Sequence, residues 1–257
     1  MKQTSTPIAL ITGGSRGLGR NAAFALAAQG SDLIITYQRQ QADALAVVAQ
    51  VQVQHEGRRA VALQLDTGDS ASFPAFATRL RELLATQWQR THFDHLINNA
   101  GFGHHAAFAE TTEADFDALY RVHLKGPYFL TQALLPLIAD GGRILNISSG
   151  LARFSFPGSS AYAMMKGGVE VMTRYMAKEL GSRGIAVNTL SPGAIETDFS
   201  GGRVRDDATL NRALAAQTAL GRVGLPDDIG GAIAALLAPG SHWINAQRVE
   251  ASGGMLI

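Results

Sequence analysis

The chain has 257 residues, 46% of them hydrophobic and 17% charged, with 22 basic against 21 acidic side chains and no cysteine. A charge that near zero, with no block of one sign, argues against nucleic acid or an anionic membrane surface as a partner. The missing cysteines exclude a disulfide scaffold, thiolate metal sites and cysteine nucleophiles.

The length suits one α/β domain spanning 1–257. No run approaches the ~18 apolar residues of a membrane span. The short apolar run near the N-terminus ends in a glycine turn, so it reads as a strand rather than a signal peptide, and the expected location is cytoplasmic.

Taken in order, Ile8 to Ile11 is an apolar strand running into Thr12-Gly13-Gly14-Ser15-Arg16-Gly17-Leu18-Gly19. An alanine-rich helix over Asn21 to Gln29 follows, closed by Gly30, and then a second strand over Leu33 to Thr36. The alternation continues: helix Ala42 to His55, strand Ala60 to Leu65, helix Ser72 to Trp88, strand His95 to Ile97. Two helices are predicted next, Glu113 to Tyr120 and a longer one reaching Ile138. Strand Arg143 to Ile147, helix Ala161 to Leu180 and strand Ile185 to Leu190 follow. Ala194 to Ala208 has little periodicity and reads as a mobile loop or short helices, a usual place for a substrate lid. Helix Pro226 to Leu237 and strand Arg248 to Ala251 complete the chain.

Strands alternating with helices throughout predict a Rossmann-type doubly wound parallel sheet, three layers deep. Ligands of such sheets bind beyond the carboxyl ends of the strands. The glycine turn, Asp66, Asn99, Ser149 and Pro192-Gly193 all fall there.

Glycines 13, 17 and 19 at a strand-to-helix turn let the backbone approach a pyrophosphate at a helix N-terminus. The second strand ends in Tyr37-Gln38-Arg39, without the carboxylate that holds a ribose 2′-hydroxyl. Arg16 and Arg39 can pair with a 2′-phosphate instead, so NADP is the expected cofactor. Two solvated surface arginines is the plainer reading of the same pair.

Tyr162 and Lys166 are four apart, hence on one face of the predicted helix, with Ser149 thirteen residues upstream. A phenol titrating near pH ~10 is a poor acid or base at neutral pH, and a nearby ammonium favours its ionised form. A serine hydroxyl beside it can hold a carbonyl oxygen.

TGGSRGLG at 12–19, NNAG at 98–101, Ser149, YAMMK at 162–166 and SPGAIETD at 191–198 together resemble the short-chain dehydrogenase/reductase family in its single-domain form, over nearly the whole chain. The resemblance implies Tyr162 as general acid in reduction, with Lys166 lowering its pKa and binding the nicotinamide ribose. It implies Ser149 on the substrate oxygen, Asp66 and Thr67 near the adenine, and Asn99, with Ala100 and Gly101, beside the adenosine ribose. Ile195 and Thr197, following Pro192 and Gly193, would touch the carboxamide. The family's usual asparagine is His123 here. Either the imidazole takes over a water-mediated proton relay, its reference pKa near ~6.5 permitting exchange, or it only packs.

Within the family, the segment up to SPGAIETD is most similar to bacterial 3-oxoacyl-carrier-protein reductases. Of the basic docking positions, Arg183 is present, but the other reads Ala139-Asp140-Gly141-Gly142, so a reductase of small carbonyl compounds is preferred. A cofactor-binding sensor without turnover is the remaining alternative. Phe102, His104, His105, Phe154, Phe156 and Phe199 are expected to wall an apolar or aromatic pocket, although Phe154 and Phe156 also suit a core. His104 and His105 are adjacent and make a poor metal pair, so no metal is expected. The resemblance implies a homotetramer or homodimer through the helices flanking Gly126 and through the C-terminal strand.

Overall fold

The computed structural model describes residues 6–257; residues 1–5, the head of the stretch read as lacking a signal peptide, lie outside the described residues. Seven strands form one parallel sheet: β1 (Ile8–Ile11), β2 (Asp32–Tyr37), β3 (Ala60–Gln64), β4 (Phe93–Asn98), β5 (Ile138–Ile147), β6 (Ala186–Pro192) and β7 (Arg248–Ala251). Their order is β3-β2-β1-β4-β5-β6-β7. β1 pairs with β2 on one side and β4 on the other, and between these the winding reverses. That reversal opens a crevice at the carboxyl ends of β1 and β4.

The helices are α1 (Gly17–Ala28), α2 (Gln41–Gln54), α3 (Phe73–Leu83), α4 (Glu113–Tyr120), α5 (Gly126–Leu134), α6 (Ser160–Leu180), α7 (Arg203–Asp206), α8 (Ala208–Ala215) and α9 (Pro226–Leu237). Successive strand residues face opposite ways, so β1 feeds two cores. Ile8 and Leu10 join Phe73, Leu130 and Ala177 under α3, α5 and α6. Ala9 and Ile11 join Leu26, Val47 and Ile233 under α1, α2 and α9. This explains why the strand is apolar without alternation.

Where the chain departs from the sequence expectations, local causes are visible. α1 begins at Gly17, so the last three residues of the glycine turn, Gly17 to Gly19, are helix. The helix expected to reach Ile138 ends at Leu134, because Pro136 cannot continue it, and β5 starts at Ile138. Two five-residue π turns were not legible: Leu84–Trp88, ended by Gln89 at φ 51°, and Arg121–Lys125, which joins α4 to α5. The 194–208 segment holds the short helix α7 and the start of α8, which is capped by the Asp207 carboxylate accepting from the amides of Thr209 and Leu210. Among the described residues no helix is long and apolar enough to cross a membrane.

Candidate functional site

The glycine turn is built by exclusion. A Cβ at Gly14 would lie 2.6 Å from that of Ile35, and one at Gly19 would collide with the Gly13 carbonyl oxygen. Gly13 and Gly17 have φ of 67° and 54°, a region side chains disfavour. Thr12 Oγ1 accepts from the amides of Asn99 (2.9 Å) and Ala100 (3.0 Å), tying the turn to the end of β4. Asn99 Nδ2 donates to the carbonyls of Thr12 (2.9 Å) and Gly13 (3.2 Å). The side chain expected beside a ribose therefore braces the turn. What is left free at the head of α1 is a set of backbone N–H groups suited to a phosphate.

Beyond β2, Gln38 Nε2 donates to Asp66 Oδ2 at 2.7 Å, and the Gly68 amide holds Oδ1 at 2.8 Å. Thr67 is buried, and its carbonyl oxygen leaves no room for a Cβ at Gly126. Arg16 and Arg39 are exposed and make no ion pair among the described residues. Both guanidiniums are available to an anion. On the far side, the Gly193 amide donates to Ala251 O at 3.1 Å, and Thr197 is buried with its Cβ 4.0 Å from where a Gly17 Cβ would stand.

Ser149 lies two residues beyond β5 and caps the short turn Gly150–Ala152, its Oγ accepting from the Leu151 amide. Tyr162 and Lys166 lie one turn apart on α6 and are 9% and 5% exposed. Lys166 Nζ donates to Ile147 O at 2.8 Å and stands 5.5 Å from the Tyr162 ring centroid. Burial pushes the phenol up from its ordinary value, and the hydrogen bond with Ser149 that opposes this is the weaker effect. Burial also brings Lys166 down to about 8. Desolvation thus outweighs any lowering of the phenol by Lys166, whose ammonium is aimed at a carbonyl.

The π turn buries His123. Its Nε2 is 2.8 Å from Phe102 O and 3.3 Å from Phe102 N. One nitrogen cannot both donate and accept, and the shorter contact assigns the proton to Nε2. Nδ1 is then a buried lone pair without a protein partner. Burial, reinforced by the charge of Lys166, lowers His123 to about 3. This lowering favours the neutral imidazole at ordinary pH, with Nδ1 as an acceptor. The buried ring also explains Gly101, where a Cβ would stand 2.5 Å from His123 Cε1.

Four rings run in sequence across this floor. Phe102 to His123 is 5.3 Å between centroids, His123 to Tyr162 5.1 Å, and Tyr162 to Phe199 5.9 Å. Phe199 and Ser200 bear on Gly103, whose Cβ would fall 2.9 Å from Phe199 Cε1. The segment after β6 is therefore folded down over Tyr162. Ser200, Gly201 and Gly202 are all left-handed, at φ 54°, 72° and 77°. Phe154 and Phe156 meet edge to face at 5.7 Å and pack on Leu214, Val223 and Met255. Their inner faces belong to a small core, so they wall the site only by what remains. His105 turns to Gly158, while His104 is half-buried with Nε2 unpartnered. Among the described residues no cluster of three or more His, Asp or Glu could hold a metal.

Sequence reasoning missed Glu170, one turn beyond Lys166 on the same face of α6, and the arginines it works with. The i, i+4 spacing that revealed Lys166 was the available signal.

A family model described as Enoyl-(Acyl carrier protein) reductase matches residues 13–256. An uncharacterized oxidoreductase of Methylorubrum extorquens is 34% identical over 255 residues, covering 99% of this chain and all of the relative. The solved structure of the promiscuous reductase LugOII, which catalyses keto-reduction at C1 during lugdunomycin biosynthesis, superposes with a TM-score of 0.91. It is 35% identical and covers 98% of both chains. The angucycline C-6 ketoreductase LanV with bound NADP also gives a TM-score of 0.91, at 32% identity over 97% of this chain and 95% of its own.

Proposed function

We propose, on the premise that this chain belongs to the short-chain dehydrogenase/reductase family, that it is an NADPH-dependent reductase of apolar or aromatic ketones. The observation that carries this reading is the convergence of Ser149, Tyr162 and Lys166 at the carboxyl ends of the sheet, facing a glycine turn shaped for a pyrophosphate. Keto-reduction by LugOII and NADP binding by LanV support the choice of reaction and cofactor.

The residues present fit a phosphorylated dinucleotide: a turn in which side chains would collide, free N–H groups at α1, and unpaired Arg16 and Arg39. The backbone of residues 13–19 would hold the pyrophosphate, Arg16 and Arg39 the 2′-phosphate, and Asp66 with Thr67 the adenine edge. Asn99 would act by holding the turn, with Ala100 and Gly101 lining the ribose. Pro192, Gly193, Ile195 and Thr197 would meet the carboxamide. The bound nicotinamide supplies the hydride for the carbonyl carbon.

Ser149 Oγ would donate a hydrogen bond to the carbonyl oxygen and Tyr162 its phenolic proton to the developing alkoxide. Burial keeps the phenol protonated but makes it a weaker acid, so proton donation depends on charge that stabilises the phenolate. Lys166, charged below about pH 8, stabilises the phenolate left behind. Phe102 and Phe199, flanking the ring row, would clasp a flat substrate. An open groove of about 430 Å³ along Phe108, Phe156 and Pro157 offers room for more of it. A 3-oxoacyl-carrier substrate is disfavoured because Arg183 is engaged: its Nε donates to Asp140 at 2.7 Å and its other nitrogens to Leu135 and Ile138 carbonyls.

We read the chain as one domain that assembles as a homotetramer or homodimer. Exposed Phe116 and Tyr120 on α4, Tyr128 and Phe129 on α5, and Met164, Val171 and Tyr175 on α6 support this. Light scattering of the purified protein tests it, a monomer at micromolar concentration contradicting it.

The activity test is NADPH oxidation with 1-tetralone in a panel of ketones, acyl thioesters, quinones and sugars. Tyr162→Phe should keep NADPH binding and lose at least ~100-fold in kcat. Undiminished turnover in that variant sinks the assignment. Cofactor affinity in wild type with no turnover across the panel would favour the sensor.

A further inference from the structure

Behind the site a chain of charges leaves the turn that carries Ser149 at one end and returns to it at the other. Ser148 Oγ donates to Glu170 Oε1 at 2.8 Å, and Ser191 Oγ, at the matching end of β6, reaches the same oxygen at 3.3 Å. Glu170 Oε1 also accepts from Arg248 Nε at 2.8 Å. Arg248 Nη1 donates to Glu250 Oε2 at 2.7 Å. Arg153 then closes the circuit, its Nε and Nη2 donating side-on to the two Glu250 oxygens, each at 2.8 Å. Arg153 is five residues beyond Ser148.

Arg153 is exposed along one side, but its guanidinium makes further contacts. Its Nη1 and Nη2 also donate to the carbonyls of Leu256 (3.1 Å) and Met255 (2.7 Å), and its guanidinium lies 5.3 Å from the Phe154 ring centroid. Burial by itself would raise the Glu250 carboxyl, yet hydrogen bonds from Arg153, Arg248 and Ser252 bring it to about 2, so it is ionised. Two carboxylates and two guanidiniums balance, and a bidentate Arg–carboxylate contact has a fixed geometry that a lone surface pair lacks.

We propose that Arg153 and Glu250 are positioning residues: with Arg248 and Glu170 they clamp the 148–153 turn at both ends, so that the C-terminal strand sets where Ser149 Oγ meets the substrate oxygen. This rests on Ser149 being the group that holds that oxygen. The β5–β6 ladder ends at Ile147 and Leu190, with one further bond from the Ser148 amide to the Leu190 carbonyl, so the clamp acts where the ladder stops. A hydroxyl displaced by a fraction of an ångström still binds substrate but no longer matches the transition state.

The test uses the full chain carrying Glu250→Gln, which keeps shape and removes charge, and Arg153→Met, which keeps the stem over Phe154. Amide hydrogen exchange is read by mass spectrometry in peptides covering 148–154 and 8–19, alongside NADPH affinity and the kinetics of 1-tetralone reduction. The clamp requires exchange about tenfold faster in 148–154 with 8–19 unchanged, because only a local opening is released. It also requires kcat lower by about tenfold, with KM and NADPH Kd within about twofold, since the lost contact is one made in the transition state. Unchanged exchange in 148–154, or equal acceleration in 8–19, overturns it; the latter marks general loosening. If Glu250→Gln yields no folded protein, Arg153→Met decides alone. A wild type that reduces no ketone removes the proposed activity, and the exchange comparison still decides the clamp.

Discussion

His123 stands edge-on to Tyr162, ring centroids 5.1 Å apart and planes at 84°, while its Nε2 is pinned 2.8 Å from the Phe102 carbonyl. One ring thus supports the proposed acid on one side and fixes the start of the substrate loop on the other. Its neutrality has a kinetic consequence. The pH profile of kcat for ketone reduction should be flat between about pH 5 and about pH 7, where an ordinary histidine titrates. An inflection near 6.5 in wild type that disappears in His123→Asn would restore the imidazole to the proton path.

A real pH limit is expected higher up. Burial lowers Lys166 to about 8, so its ammonium is lost as pH rises through that value. The phenolate left after proton donation then loses its stabilising charge. Ketone reduction should decline above about pH 8, and Lys166→Met should be slow and without that decline. Steady-state kinetics at saturating NADPH measure it; a rate still rising at pH 9.5 would count against the assignment of Lys166.

The part of this site legible in sequence was the part encoded locally. Tyr162 and Lys166 share a face because four residues make one helical turn, and the glycine turn follows directly from its strand. The π turn at 121–125 was not legible, because no residue in Arg121-Val122-His123-Leu124-Lys125 marks an added residue per turn; the turn is seen only where His123 is buried. The clamp was invisible for another reason. Arg248 and Glu170 are 78 residues apart and meet only once β7 has docked beside β6. For the same reason sequence left Phe154 and Phe156 open between pocket wall and core, since their partners Leu214 and Met255 arrive from distant segments.

At the opposite end of the sheet, His95 is buried beside Arg143, its register partner on β5, with Nδ1 unpartnered. Burial lowers it to about 4, Arg143 adding to this and Asp94 opposing it. A folded pKa below the unfolded one means that the unfolded chain takes up a proton first, so stability is lost as pH falls from about 6.5 toward 4. By that linkage His95 removes roughly 1–2 kcal/mol between pH 7 and pH 5. His95→Leu should therefore show a smaller fall in Tm across that interval than wild type. An equal fall in both would show that His95 is not the group being protonated.

The cofactor preference rests on two free guanidiniums, Arg16 and Arg39, and on the absence of a carboxylate at the end of β2. Arg39→Asp should raise the Kd for NADPH by at least ~10-fold and leave NADH affinity equal or better, since an aspartate repels a 2′-phosphate and accepts from a 2′-hydroxyl. Fluorescence titration with both nucleotides measures it. Equal affinities in wild type would contradict the NADP reading.

Gly103 is where the folded-down segment touches the substrate loop. A Cβ there would collide with Ser200 Oγ and stand 2.9 Å from Phe199 Cε1. Gly103→Ala should therefore hold Phe199 away from Tyr162, leaving the glycine turn and its N–H groups untouched. Lid closure excludes water and completes the substrate enclosure, so its loss falls on substrate binding and turnover rather than on the nucleotide. The expected outcome is a KM for 1-tetralone higher by about tenfold with NADPH Kd unchanged. Gly103→Ala together with Phe199→Leu and Ser200→Gly, which restores the space, should recover most of the loss. If the triple variant is as impaired as Gly103→Ala alone, contact between the two segments does not govern closure.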